Sequence, residues 1–147
     1  MKQHIADYFE GILQVRNGTQ ELMTWIHNRV KADNKAKITK EKRVSNGIDL
    51  YMTDQHYLQN LGRKIKEKFT GILKTSKRLH TMDKMTSKHI YRVTVLFKML
   101  PLKRGDIITF QGEQVEILRI EHRAQVKIIK SGLKKEIDLD TLLRAIQ

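Results

Sequence analysis

Cysteine is absent from these 147 residues, which excludes disulfides, a thiolate nucleophile and cysteine-ligated zinc. Proline and tryptophan occur once each, and aromatic residues make up 6% of the chain. Most aromatics fall at core spacings, so a row of stacking platforms for single-stranded nucleic acid is not evident. No window approaches the roughly 18 apolar residues that a membrane helix needs, and the opening MKQHIADYFEG holds no continuous apolar run. The chain therefore reads as a soluble, cytoplasmic protein. In that setting Asn17-Gly18-Thr19 is a turn and a helix cap rather than a glycosylation site. Gly-x-Gly-x-x-Gly, the phosphate-loop pattern and Gly-x-Ser-x-Gly are missing too. Enzymatic chemistry and a bound cofactor have no support in the motifs.

Positive charge is abundant. Lys and Arg outnumber Asp and Glu by 29 to 16, for a net charge of +13 and a pI near 10, the electrostatic footprint of a polyanion binder. With 39% hydrophobic residues the chain also has material for a real core. The excess is uneven: residues 1–100 carry a net +11 and residues 101–147 a net +2. Contact with a polyanion is thus expected mainly in the first of two domains, 1–100 and 101–147.

The stretch from Thr75 to Lys98 combines both properties. It reads as a basic strand, a polar turn and a second strand in which Tyr91, Val93, Val95 and Phe97 alternate with Arg92, Thr94 and Lys98. Upstream, Tyr8 to Arg16 alternates in the same way, with Phe9, Gly11, Leu13 and Val15 on the side expected to be buried. A helix capped by Thr19 follows, with Leu22, Ile26 and Val30 as its stripe and Trp25 at the edge of the core. Asn46-Gly47 between Ile38–Val44 and Ile48–Thr53 predicts a hairpin. Asp54 caps a second predicted helix with Leu58, Leu61, Ile65 and Phe69 on its apolar stripe and Gly71 as its stop.

The order strand, helix, hairpin, helix, hairpin predicts an α+β layer with two helices on one face of a mainly antiparallel sheet. Beyond Pro101, runs at Ile107–Phe110, Gln114–Ile120, Val126–Lys130 and Glu136–Leu139, split by Gly turns, predict a small all-β barrel with almost no helix. Within this frame the expected phosphate contacts are Lys35, Lys37, Lys40, Lys42, Arg43, Lys64, Lys74, Lys77, Arg78, Lys84, Lys88 and Arg92. Backbone and shape recognition of folded RNA suits them better than base reading. Six histidines occur without a paired metal-ligand spacing. His80, Asp83 and His89 flank the turn of the Thr75–Lys98 hairpin, and an RNA-processing enzyme using them stays open as an alternative. So does a protein-interaction adaptor in which the barrel holds the partner.

Several segments, in order, carry a resemblance to a known family. They are Tyr8-Phe9-Glu10-Gly11-Ile12-Leu13-Gln14-Val15-Arg16, Asn46-Gly47-Ile48-Asp49-Leu50-Tyr51, Thr75-Ser76-Lys77, His89-Ile90-Tyr91-Arg92-Val93-Thr94-Val95, and Leu100-Pro101 leading into Arg104-Gly105-Asp106. Together they resemble the archaeal and eukaryotic family of large-ribosomal-subunit export adaptors, named historically for nonsense-mediated decay. The resemblance implies a domain similar to an L22e-type ribosomal protein, followed by an SH3-like barrel resembling translation factor five A. It also implies non-enzymatic binding to ribosomal RNA on the intersubunit face of the late pre-large subunit, in ribosome biogenesis and translation. The partners would be that subunit and its RNA, with ribosomal proteins or other assembly factors alongside, and the simplest state is a monomer. Family members begin with a cysteine-rich zinc module, whereas this sequence has no cysteine, so no metal site is expected in it.

Overall fold

The computed structural model describes residues 8–83 and 88–146, except for the side chains of residues 80–83 and 88–90. The chain divides into two compact units, residues Met1–Phe69 with Leu73–Met99, and Thr70–Ile72 with Leu100–Gln147. The first contains β1 (Gly11–Arg16), α1 (Gln20–Asp33), β2 (Ile38–Val44), β3 (Gly47–Met52), α2 (Gln55–Lys68), β4 (Gly71–Asp83) and β5 (Lys88–Met99). Its five-stranded sheet has the order β2-β3-β1-β5-β4. The central strand β1 runs antiparallel to β3, with Leu13 opposite Leu50, and parallel to β5, with Leu13 opposite Val95.

Both helices begin where the sequence places a cap. The Thr19 hydroxyl accepts from Leu22 N at 3.2 Å, and α1 ends at Asn34 in the left-handed region, φ 50°. Asp54 Oδ1 accepts from Tyr57 N at 2.9 Å, and Glu10 reaches across to accept from Gln55 N at 3.0 Å. Two carboxylates thus sit at the positive end of the α2 dipole. The end of α2 differs from expectation. It closes at Phe69 in extended backbone, and Gly71 starts β4 instead of stopping the helix.

Leu22 and Ile26 from α1 and Leu58, Leu61 and Ile65 from α2 pack with Leu13, Val15, Leu50, Met52, Val93, Val95 and Phe97 in one buried core. Each such side chain contributes about 1.5–3 kcal/mol on burial. Trp25 lies half-buried against Phe69, edge to face at 5.9 Å, as expected for the edge of a core. Gly62 lets α2 approach β5 closely, since a Cβ there would stand 2.8 Å from Val95 Cγ1.

Two expected core positions are corrected. Tyr91 is 41% exposed, although Val93, Val95 and Phe97 are buried as their alternation requires. Phe9 does not share the side of Leu13 and Val15. The chain bends at Glu10, whose carboxylate is engaged at the α2 N-terminus, and the alternation breaks there. Phe9 consequently meets Tyr51 and Arg92 on the opposite side of the sheet.

The β2–β3 hairpin forms where predicted, with Val44 opposite Gly47 and Ser45-Asn46 as the turn. Neither turn residue has positive φ. Gly47 is needed because a Cβ there would lie 1.8 Å from the Val15 carbonyl oxygen of β1.

The second unit holds β6 (Ile107–Phe110), β7 (Glu113–Ile120), β8 (Arg123–Ile128), β9 (Lys134–Asp138) and α3 (Leu139–Ile146). The strands form an antiparallel sheet in sequence order. Gln111 and Gly112, both with positive φ, make the two-residue β6–β7 turn. The helix corrects the expectation of a nearly helix-free barrel. Leu139, Leu142 and Leu143 form its buried face over Phe110, Val115, Ile117 and Val126, and the Asp138 carboxylate accepts from Thr141 N at its start. The α+β character expected of the chain is present, with three helices among the described residues.

Two predictions follow from this packing. Gly47→Ala should lower unfolding free energy by about 3 kcal/mol or more, because backbone has to move. Gly112→Ala, at φ 79° with open space around it, should lose only about 1 kcal/mol. Urea titration of both variants checks the difference.

The second concerns His27. Its Nδ1 bonds the Met23 carbonyl and its Nε2 the Glu41 carboxylate, joining α1 to β2. Burial is the largest single influence and lowers its pKa; the bonds to Glu41 and Met23 and the charge of Glu41 together outweigh it, leaving the imidazole above its ordinary 6.5. A raised folded-state pKa adds stability that is complete below the ordinary value and disappears as pH climbs through the raised one. Thermal unfolding from pH 5.5 to 8.5 should show this decline, and His27→Gln should flatten it.

Candidate nucleic-acid interface

Because both helices cover the Leu13–Val15 side of β1, the opposite side of the sheet carries no helix of the first unit. Register decides what lies there. From β1 come Ile12, Gln14 and Arg16; their neighbours on β3 are Tyr51 and Asp49, and on β5 Thr94, Leu96 and Lys98. Lys40 and Lys42 stand opposite Tyr51 and Asp49. On β4, Leu73 packs into the core, which turns Lys74, Ser76 and Arg78 to the open side.

This face therefore collects Lys40, Lys42, Lys74, Arg78 and Arg92 among the cations expected to meet phosphate, and adds Arg16 and Lys98. The last two sit side by side in the parallel β1–β5 register. Their alternation was visible in the sequence, but neither lies in a cluster of like charge, and clustering guided the expected set.

Asp49 is the buried carboxylate of the face, 8% exposed. Its Oδ1 lies 2.8 Å from Arg16 Nη1 but off the direction of a hydrogen bond, so charge rather than directed bonding holds the pair. The pair fixes a guanidinium between β1 and β3. Cations and rings also interleave across the strands: Lys40 Nζ lies 5.4 Å from the Tyr51 ring, Tyr51 meets Phe9 edge to face at 4.9 Å, and the Arg92 guanidinium stacks 3.9 Å from the Phe9 centroid. Next to Arg92 lies a groove of 630 Å³ lined by Phe9 and Ile12, by Arg92 and Thr94 of β5, and by the consecutive β4 residues Ser76 to Leu79, so that Lys77 and Leu79 reach it as well as the alternating Ser76 and Arg78.

Other expected contacts are placed elsewhere. Lys35 and Lys64 line a recess of 260 Å³ that also holds Asp33 and Asp54, so their charge is locally offset. In that recess the Tyr57 hydroxyl donates to Asp33 at 2.6 Å. The bond from Tyr57 foremost, then the charges of Arg29 and Lys64, hold the Asp33 carboxyl below its ordinary range; burial and the same bond push the Tyr57 hydroxyl up. Lys37 precedes β2, its N–H donating to Thr53 Oγ1. Arg43 is opposite Ile48, on the helix side of the sheet. Lys84 lies outside the described residues, as do the side chains of Lys88 and of the turn cluster His80, Asp83 and His89. Among the described residues no three His, Asp or Glu come together as a metal-ligand set, and no helix is long and apolar enough to cross a membrane.

The family model for the second domain of NMD3 matches residues 8–99, more than half of the chain. No curated protein matches the chain.

The Arg16–Asp49 pair gives a double-mutant test. Asp49→Ala strands a partly buried guanidinium and should cost roughly 1–3 kcal/mol in urea unfolding. Adding Arg16→Ala should recover part of that loss, whereas simple addition of the two single losses would show the pair to be uncoupled.

Proposed function

The chain belongs to the NMD3 family, and on that premise we propose that it binds ribosomal RNA of the large subunit through the helix-free face of its five-stranded sheet. The family is associated with the large ribosomal subunit and its biogenesis. The observation that carries the reading for this chain is the convergence of Lys40, Lys42, Lys74, Arg78 and Arg92 from three strands on one face, where Asp49 is already committed to Arg16. Lys and Arg at strand spacing neutralise phosphates along a backbone and release counterions, and a fixed guanidinium engages phosphate oxygens through two N–H groups.

In this reading the protein is a non-enzymatic late biogenesis factor that docks on the intersubunit face of the subunit. Residues 1–100 supply the RNA contact, and residues 101–147 contribute shape or contacts to ribosomal proteins and assembly factors. Two helices layered on one face of a sheet support likeness of the first domain to an L22e-type ribosomal protein. The short antiparallel strands with Gly turns support likeness of the second to the SH3-like barrel of translation factor five A.

Charge reversal tests the placement. The fourfold variant Lys40→Glu, Lys42→Glu, Lys74→Glu, Arg78→Glu should weaken co-sedimentation with large subunits. It should also shrink the dependence of log affinity on log salt by about 0.7–0.9 per lost contact. Arg119→Glu with Lys127→Glu, in β7 and β8, should change both much less. Equal loss per substituted charge in the two sets would remove the sheet face from the interface.

A further inference from the structure

On the reading that the open face binds RNA, we propose that the groove beside Arg92 takes one unpaired nucleobase, so that the protein selects RNA with a bulged or single-stranded nucleotide over fully paired RNA. The groove is built differently from the rest of the basic face. Phe9 and Ile12 contribute apolar surface, and Leu79, 51% exposed on a strand otherwise rich in polar residues, contributes more. Phosphate binding has no use for such surface; a base, with its apolar faces, does.

Arg92 supplies the stacking element. One face of its guanidinium is covered by the Phe9 ring at 3.9 Å, and Phe9 is itself steadied by Tyr51 at 4.9 Å. The guanidinium is thus held at the groove before any ligand arrives, and it is a flat, weakly hydrated cation of the kind on which unstacked bases settle. Ser76 and Thr94 line the same groove with hydroxyls that donate to or accept from a base edge. Lys77 and Arg78 lie where the phosphates on either side of an extruded nucleotide would run, and none of the described residues lining the groove is acidic. The cavity of 630 Å³ falls within the size range of ordinary ligand pockets.

That a row of stacking platforms is not evident in the sequence follows from the core spacing of most aromatics. Phe9 shares that spacing, but the bend at Glu10 moves it from the core side to the open side.

The test is fluorescence anisotropy of the full chain with three labelled RNA hairpins at physiological salt: fully paired, carrying a single-uridine bulge, and carrying an abasic residue in the bulge. The bulged RNA should bind about tenfold more tightly than the paired one, with the abasic RNA near the paired value. Arg92→Lys keeps the charge but not the plane, so it should erase the preference while leaving the salt dependence nearly unchanged. Phe9→Leu, which keeps apolar volume, should do the same if Phe9 acts by holding the guanidinium.

Equal binding of bulged and paired RNA by the wild type would overturn the groove proposal and leave RNA binding by the face intact. Equal binding of uridine and abasic bulges would reduce the groove to a phosphate site and likewise overturn it. Displacement of the bulged RNA by an acidic, leucine-bearing peptide that binds more tightly would assign the groove to a protein partner instead. Absence of binding to all three RNAs, and to large subunits as well, would bring down the underlying reading.

Discussion

Everything in the first unit hangs on the way β1 is held. It is the middle strand of five, bonded antiparallel to β3 and parallel to β5, with Leu13 and Val15 fully withdrawn from solvent. A parallel pair needs a long crossover, and the chain between β1 and β5 contains both helices. Because the two helices lie on the Leu13–Val15 side, the register of β1 alone decides which residues remain on the other side. Slipping β1 by one residue would drive Gln14 and Arg16 into the core and expel Leu13 and Val15. Core and interface are thus two faces of one constraint.

That constraint explains how a chain with a net charge of +13 tolerates several cations on one sheet surface. Strand spacing keeps long Lys and Arg side chains apart, while the core on the far side supplies the stability. Two of these cations are held in place, Arg16 against Asp49 and Arg92 against Phe9. Both lie next to β1, and both are guanidinium groups, whose planar donors lose less freedom on binding phosphate than a lysine ammonium does.

Much of this was legible in the residues. Thr19 and Asp54 announced both helices because a side-chain oxygen before an apolar stripe has one common use, and the strand alternation of Val93, Val95 and Phe97 fixed their burial. What escaped was non-local. Glu10 is drawn to the N-terminus of α2, which bends the chain and carries Phe9 to the other face; no window around Glu10 contains that helix. Gly47 looked like a turn residue, but its small size serves a close approach to the Val15 carbonyl of a different strand. The helix α3 was visible as Leu139, Leu142, Leu143 and Ile146, a helical spacing, and was obscured by the strand pattern running into it at Leu139. For the interface, like-charge clusters selected Lys35 and Lys64, whose charge Asp33 and Asp54 offset locally, and passed over Arg16 and Lys98, which only register brings together.

The most direct measurement is site-specific photocrosslinking of the chain bound to purified large ribosomal subunits, with the probe placed in turn at Lys42 and Thr94 on the open face and at His56 and Lys66 on α2. Crosslinks to ribosomal RNA from the first two positions, and none from the helix positions, are the predicted result. RNA crosslinks confined to His56 and Lys66 would contradict the account and move the interface to the opposite side of the sheet.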